Sequence, residues 1–514
     1  LAPTGSQSDG SHEDFRTNTF VDLNVMSKYI DAGARFEYRE HQLPGYDAAF
    51  KGYGVPYVYL KAKLKNFEVT VGNFYEQFGS GFVLRTYEER SLGIDNSLLG
   101  ARIVTTPVKG VRLKALTGQQ RRYWAHNDSW VSGADVELSL DSWFKGLAQS
   151  GTSLTLGGSF VNKNERNDED VFNGNYRLVM PRNVNAWDAR VTLNTHGFNV
   201  LAEYAQKTAD PSFKNNYIYR KGTAAMLSAS YSKKGFSVLA QAKRSDNFFF
   251  NSYRGESLAQ STINHLPAFT MDQTYALAAL YPYGTRLDGE WAYQGQLGYK
   301  FKRKTAIGGK YGMMVKVNFS HVRGIDQNPR SLNVPEPTVL TGKGTDGYGS
   351  AFWKWGKSGM YYQDLNVQID RRFTRDFKLS LMYMNQFYNK TIVEGEGGMI
   401  HSNIFIADAL FNLSPKTRLR TELQYLTTGE DEHDWLFALA ELSLVPHWMF
   451  TVSDQYNVGL TDAHYWQTFV TYNTGAHRVQ LGWGRTRAGF NCSGGVCRYV
   501  PETKGFTLSY NYNF

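Results

Sequence analysis

Apolar and polar residues alternate along almost the whole chain. Over 34–40, Phe36 and Tyr38 fall on one parity while Arg35, Glu37 and Arg39 fall on the other. A period of two places successive side chains on opposite faces of an extended backbone, so this segment predicts a strand with two unlike faces. Val58, Leu60, Ala62 and Leu64 alternate with Tyr57, Tyr59, Lys61, Lys63 and Lys65, and Lys65-Asn66 then turns the chain into Phe67, Val69 and Val71. That is a predicted tight hairpin. The same pattern recurs where Val111, Leu113 and Ala115 oppose Arg112 and Lys114, where Phe198, Val200, Ala202 and Tyr204 follow a short turn, and where Leu419, Thr421, Leu423 and Tyr425 alternate with Arg420, Glu422 and Gln424. Each predicted strand has about 9 to 11 residues, the length a tilted strand needs to cross a bilayer.

The connections alternate in length. Short ones fall at 65–66, 107–110, 195–197, 233–235, 373–376 and 474–477, and between them lie long polar stretches such as 161–182, 246–289 and 323–358. Bacterial outer-membrane barrels place short turns on the periplasmic side and long loops outside, so the asymmetry predicts an all-β, transmembrane, antiparallel up-and-down β-barrel and its orientation. Counting back from the C-terminus gives about 22 strands as far as Ala34 and one more over 19–29, with 30–33 read as a short periplasmic turn. Single-chain bacterial barrels have even numbers, so about 24 strands are expected, the missing one lying before Leu1. The barrel is expected over 17–514, preceded by a polar segment at 1–16 without an apolar leader, as in a processed or trimmed chain. The last strand carries Phe506, Leu508, Tyr510, Tyr512 and Phe514 in alternation and ends on an aromatic residue. It resembles the C-terminal signal read by the barrel-assembly machinery.

Composition fits this reading. Mean hydropathy is −0.44 and no apolar run is long enough for a membrane helix, but a barrel hides its lipid face at every second position. Aromatic residues make up 15% of the chain, a bias that suits strands and interfacial girdles. The net charge of +9 is spread without a basic block, which argues against nucleic acid and for anionic lipid surfaces or solutes.

Three features are candidates for chemistry. Residues 79–96 hold Arg85, Glu88, Glu89, Arg90 and Asp95 among Gly79, Gly81 and Gly93, which permit an inward bend. Folded into the lumen, this loop would form a constriction of opposed charges; as an outward loop it would carry solvated ion pairs. Arg35, Glu37, Lys61, Lys63, Arg112, Arg420 and Glu422 lie on the polar parity and are expected to line the lumen. Within the longest loop, 270–281 reads either as a short apolar helix that plugs the lumen or, slightly better, as an extended strand. Cys492 and Cys497 are the only cysteines and predict a disulfide at a hairpin tip. No metal set, no cofactor motif and no nucleophile elbow is found, so neither a cofactor nor enzymatic activity is expected.

The segments 70–81, 85–90, 93–96, 280–283, 308–312 and 491–497 resemble a family of large, uncharacterised outer-membrane β-barrels from Bacteroidota. The resemblance implies a barrel in that outer membrane and no particular activity. A porin-like channel for polar or charged solutes is the leading expectation, and a scaffold subunit of a secretion, uptake or assembly complex with a loop-filled lumen is the alternative. A surface receptor rests only on the aromatic loops. A plugged, energised transporter is disfavoured because strands begin almost at once. Expected partners are outer-membrane lipid and lipopolysaccharide, the barrel-assembly machinery and other outer-membrane or lipoprotein subunits, with no nucleic acid.

Overall fold

The computed structural model describes residues 2–3, 15–167, 170–173, 176–330 and 340–513. Thr19–Met26 pairs with Ile30–Arg39, which pairs with Gly52–Leu64, and each later strand pairs antiparallel with the next as far as Thr503–Tyr512. The result is one up-and-down sheet of 23 strands, to which the two-residue segment Ala2–Pro3 adds a contact with Lys504 and Thr503. An odd number of strands makes the first and the last run in the same direction, and no ladder joins them among the described residues.

The sheet has the two faces that the alternation predicts. On one, Phe36, Val58, Leu60, Leu423 and Leu508 are exposed, with Trp130, Trp187, Trp448 and Trp483 among the exposed rings. Leu423 is 64% exposed whereas its neighbour Glu422 is 4% exposed. A continuous apolar outer face of this extent belongs in lipid. The opposite face is covered along part of its height only. On Thr417–Thr428, Arg418 is exposed and Arg420 half-buried, while Glu422, Gln424, Leu426 and Thr428 are buried. On Asn183–Thr195, which runs the other way, Val184, Ala186, Asp188 and Arg190 are buried and Asn194 is exposed. The half towards the long loops is filled; the half towards the short turns is open.

Most short turns are two-residue hairpins, with Gly197 and Gly235 at φ of 88° and 83° where such turns need positive φ. Two connections at this end depart from the expected brevity. Residues 140–151 include the helix Lys145–Gln149, and Trp143 Nε1 donates to Lys109 O (2.8 Å), laying the excursion over the adjacent turn. Residues 302–312 form the other. The turn expected at 30–33 lies instead at 27–29, because Ser27 Oγ accepts from Ile30 N (2.9 Å) and donates to Ile30 O (2.6 Å), which closes the hairpin three residues earlier.

At the other end the loops differ in destination. Tyr176–Leu178 pairs with Phe172–Asn173 and, in parallel, with Leu340–Gly342, which makes a small separate sheet. Residues 75–97, 208–221, 247–288 and 487–502 pack together and against the inner face of the large sheet. Residues 270–281 are neither helix nor strand. Their only repeating feature is one turn, with Ala279 N donating to Tyr275 O (3.0 Å) and Leu280 N to Leu277 O (3.2 Å), and Leu277, Ala278 and Leu280 are buried inside the sheet.

Candidate functional site: the loop-filled interior

Residues 75–97 enter the interior on an apolar knuckle of Phe78, Phe82, Val83 and Leu84, all fully buried. Gly79, Gly81 and Gly93 have φ of 51°, 97° and 68°, and a Cβ at Gly93 would stand 2.4 Å from the Tyr46 ring. The loop is held by the longest one: Arg85 N donates to Ile263 O (2.8 Å) and His265 N to Gly81 O (2.9 Å). Asn96 Nδ2 and Gln120 Nε2 both donate to Thr262 O at 2.8 Å, so a strand, the first loop and the second loop share one carbonyl. Peptide groups far from regular structure are thereby satisfied, as buried backbone requires.

The charges of this loop meet those of the wall. Arg35 contacts Asp22 (2.6 Å), Glu88 (3.0 Å) and Asp95 (3.2 Å). Arg121 contacts Asp95 (2.6 Å) and Glu37 (2.8 Å), Arg39 contacts Glu37 (3.3 Å), and Arg90 contacts Glu88 (2.6 Å) and Asp22 (3.0 Å). Tyr75 OH donates to Asp95 (2.9 Å). Four guanidinium groups therefore face four carboxylates, and the network is neutral. Its centre is dry: the side chains of Arg121 and Glu37 are 2% and 1% exposed. In such a place removing one partner costs far more than the pair contributes.

The other predicted residues are dispersed. Arg85 stacks on the Tyr87 ring at 4.7 Å, and no carboxylate lies within ion-pair distance of it among the described residues. Glu89 accepts from Ser91 Oγ (2.7 Å) and from Ser493 Oγ (3.4 Å). Lys61 pairs with Glu68 (3.8 Å), Lys63 with Asp31 (2.6 Å) and Arg112 with Glu137 (3.9 Å); Arg420 pairs with Asp408 (3.1 Å) and with Glu422. All seven residues expected to line the lumen stand on the inner face, but only Arg35 and Glu37 join the network. Cys492 and Cys497 form a disulfide in the hairpin Gly489–Ser493 and Val496–Val500. The hairpin lies across the inward loops: Thr285 N donates to Gly495 O (2.9 Å), Arg498 Nη2 to Ser91 O (3.0 Å), and the Arg498 guanidinium sits 3.9 Å from the Tyr46 ring centre. Phe506, Leu508, Tyr510 and Tyr512 are exposed on the last strand, and Phe514 lies outside the described residues.

Three further charged groups escaped the sequence reading. Lys163 is held between Asp210 (2.9 Å) and Glu165 (3.1 Å), Arg190 between Asp135 (2.5 Å) and Asp188 (2.9 Å), and Lys243 pairs with Glu290 (2.9 Å). Inward parity alone signals Lys163, Arg190 and Lys243. Across the lumen the wall is different, with Met382, Met384, Ile404, Ile406 and Leu426 in one buried cluster with Leu277 and Leu280. There the loop is also tied by polar contacts, among them Leu277 N to Gln424 Oε1 (2.8 Å), Gln386 Nε2 to Tyr281 O (3.0 Å), Tyr281 OH to Asp431 (3.0 Å) and Tyr275 OH to Asp408 (3.4 Å), but by no ion pair among the described residues. His265, between the two regions, is pushed down to about 3 by burial and by the nearby Arg85 and Lys243 charges, so it is neutral and not a proton carrier near pH 7.

The filled half is not solid. A cavity of about 500 Å³ lies against the wall at Asn24, Arg35, Tyr57, Lys61 and Arg102, and one of about 810 Å³ opens among Arg122, His126, Glu165, Arg182 and Tyr253. No group of three or more His, Cys, Asp or Glu suited to a metal occurs among the described residues.

The profile of a family described as DUF6029, a family of unknown function, matches residues 4–514. The chain belongs to this family. No sequence match was found among curated proteins. Among solved structures, this DUF6029 member is similar to the translocation pore of the P pilus usher PapC, with 10% identity and a TM-score of 0.46 over 97% of this chain and 94% of that one. It is also similar to the siderophore receptor PirA of Pseudomonas aeruginosa, with 10% identity and a TM-score of 0.39 over 95% and 76% of the two chains. For OccAB3 of Acinetobacter baumannii the figures are 10%, 0.33, 80% and 86%.

Proposed function

We propose that this DUF6029 member is a porin-like channel in the outer membrane of a Bacteroidota bacterium, passing small polar or charged solutes through a lumen narrowed by its own loops. The observation that carries the reading is the gradient along the inner face. Charged residues such as Lys63, Arg112 and Arg418 stand partly or fully exposed in an open half, and a cavity lined by Lys61 and Arg102 reaches Arg35 of the ion-pair network. A wide charged vestibule ending in a charged constriction is the arrangement that sorts polar solutes by size and charge. On this reading Arg85, Glu88, Glu89, Arg90 and Asp95 form the constriction, and Arg35, Glu37, Lys61, Lys63, Arg112, Arg420 and Glu422 line the path. The protein is not an enzyme. The alternating residues Phe506, Leu508, Tyr510, Tyr512 and Phe514 are its assembly signal, and lipopolysaccharide, the barrel-assembly machinery and neighbouring outer-membrane subunits are its partners.

The test is conductance in planar bilayers. Wild-type protein should give ion-conducting steps, and replacing Arg85→Glu together with Arg90→Glu should move the reversal potential in a salt gradient towards cation selectivity. Equal reversal potentials would remove the constriction. Absence of any conductance would overturn the channel and leave a closed scaffold braced by the same charges.

A further inference from the structure

A third cavity, of about 280 Å³, lies where residues 208–221, 247–288, 390–398 and 487–502 meet Tyr87. Its walls include Tyr87, Leu287, Tyr388 and Phe490, and neither Asp nor Glu lines it. Two cationic side chains do. Arg286 is already taken up by Asp288 (2.6 and 3.1 Å) and by the Ile392 carbonyl (2.7 Å). Lys214 is not. Its Nζ contacts only Thr262 Oγ1 (3.3 Å), and no carboxylate lies within 4 Å of it among the described residues.

The position of Lys214 is imposed by a turn that is itself fully bonded. Ser212 N donates to Asn215 Oδ1 (2.9 Å), Tyr217 N to Ser212 O (2.9 Å) and Asn215 Nδ2 to Asn247 Oδ1 (3.0 Å). Burial pushes the ammonium down to about 8; Glu256 is the one carboxylate whose charge opposes this, and Glu256 is itself paired with Arg122 (2.8 Å), so near neutral pH Lys214 carries a charge with no ion pair of its own among the described residues. Lys163 and Lys243 are buried and each has a carboxylate within 3 Å, whereas the Nζ of Lys207, also buried, has no hydrogen-bond partner among the described residues but lines none of the three cavities. Asn264, which also lines the cavity and is 3% exposed, donates to Phe248 O while its Oδ1 has no hydrogen-bond partner among the described residues. A concave, largely apolar space with one charge that has no ion pair and few polar groups is the make-up of a small-ligand site.

We propose that this cavity binds a small organic carboxylate with a flat apolar body, the carboxylate on Lys214 Nζ and the body among Tyr87, Tyr388 and Phe490. As a solute class for the channel this rests on the reading above, but binding in detergent micelles tests it without conduction. Benzoate titrated calorimetrically into the whole chain should bind saturably, and benzamide, the same shape without the charge, should bind at least about tenfold more weakly. Lys214→Met should weaken benzoate binding by about tenfold or more and Lys214→Arg should restore most of it. Should Lys214→Met fail to fold, the comparison of benzoate with benzamide on the wild type decides. Equal binding of the two compounds, unchanged binding in Lys214→Met or no saturable binding of benzoate each overturns the site. Conductance without benzoate binding leaves the channel standing and removes the site; binding by a non-conducting protein does the reverse.

Discussion

The two sides of the lumen solve the same problem by different means. Both must hold inward loops against a sheet. The wall built from Ile30–Arg39 and Val111–Arg122 does so with Arg35 and Arg121, which meet Glu88 and Asp95 of residues 75–97 at 2.6 to 3.2 Å, while Glu37 ties Arg121 to the wall at 2.8 Å. The wall built from Phe377–Asn389, Met399–Ser414 and Thr417–Thr428 offers Met384, Ile404 and Leu426, all fully buried, and takes Leu277. Ion pairs fix register and punish any single loss, because a stranded charge has no water to turn to. Apolar packing tolerates substitution in proportion to the volume removed. The charged side therefore specifies where the loop sits, and the apolar side supplies adhesion.

The comparison can be broken from either side. The largest effect is expected for Arg121→Met, which leaves Glu37 and Asp95 short of a partner in a dry site and should destabilise the seating of residues 75–97 by about 3–5 kcal/mol. Protease cleavage within that loop, followed against denaturant, measures it; protection equal to wild type would mean that Arg35 and Arg39 suffice. Leu277→Ala should cost about 2–5 kcal/mol at the apolar wall and release residues 247–288 without disturbing the ion pairs. Hydrogen exchange that rises equally in both loops would show that the two walls are one cooperative unit. Leu423→Arg, on the lipid face of the same strand as Glu422 and Gln424, should cost about 2–4 kcal/mol if it lies near the midplane, read as a lower barrel unfolding midpoint with loop protection intact. The smallest change is expected from Cys492→Ser with Cys497→Ser. Closing so few residues contributes about 2 kcal/mol, confined to the hairpin, so limited proteolysis of 489–500 should increase while barrel unfolding is unaltered.

The strands were legible because parity is a local property that survives any tertiary context. Arg35, Lys61 and Glu422 announced their face by their neighbours alone. The interior was not legible for the opposite reason: Arg35 meets Asp95 and Arg121 meets Glu37 across 60 and 84 residues, the first pair joined by the path of a loop and the second by two strands that are not neighbours in the sheet. The segment 270–281 misled in both directions. A short apolar helix or an extended strand was expected there, but Gln424 and Gln386 reach in from the sheet and take up the Leu277 amide and the Tyr281 carbonyl instead. The early hairpin at 27–29 turned on one hydroxyl, that of Ser27, whose bonds to Ile30 leave no trace in the periodicity.

The half-filled lumen has an electrical consequence. Its open half is a well of electrolyte, which conducts freely, so a voltage applied across the membrane falls almost entirely over the loop layer. The field there is correspondingly steep, since the same drop is taken over a shorter distance. A unit charge carried through it by 100 mV exchanges about 2.3 kcal/mol with the field, comparable to the packing of one leucine. Residues 75–97 bring Arg85, Arg90, Glu88, Glu89 and Asp95 into that layer. The loops are therefore at once the resistor of the circuit and the part of it on which the voltage does work.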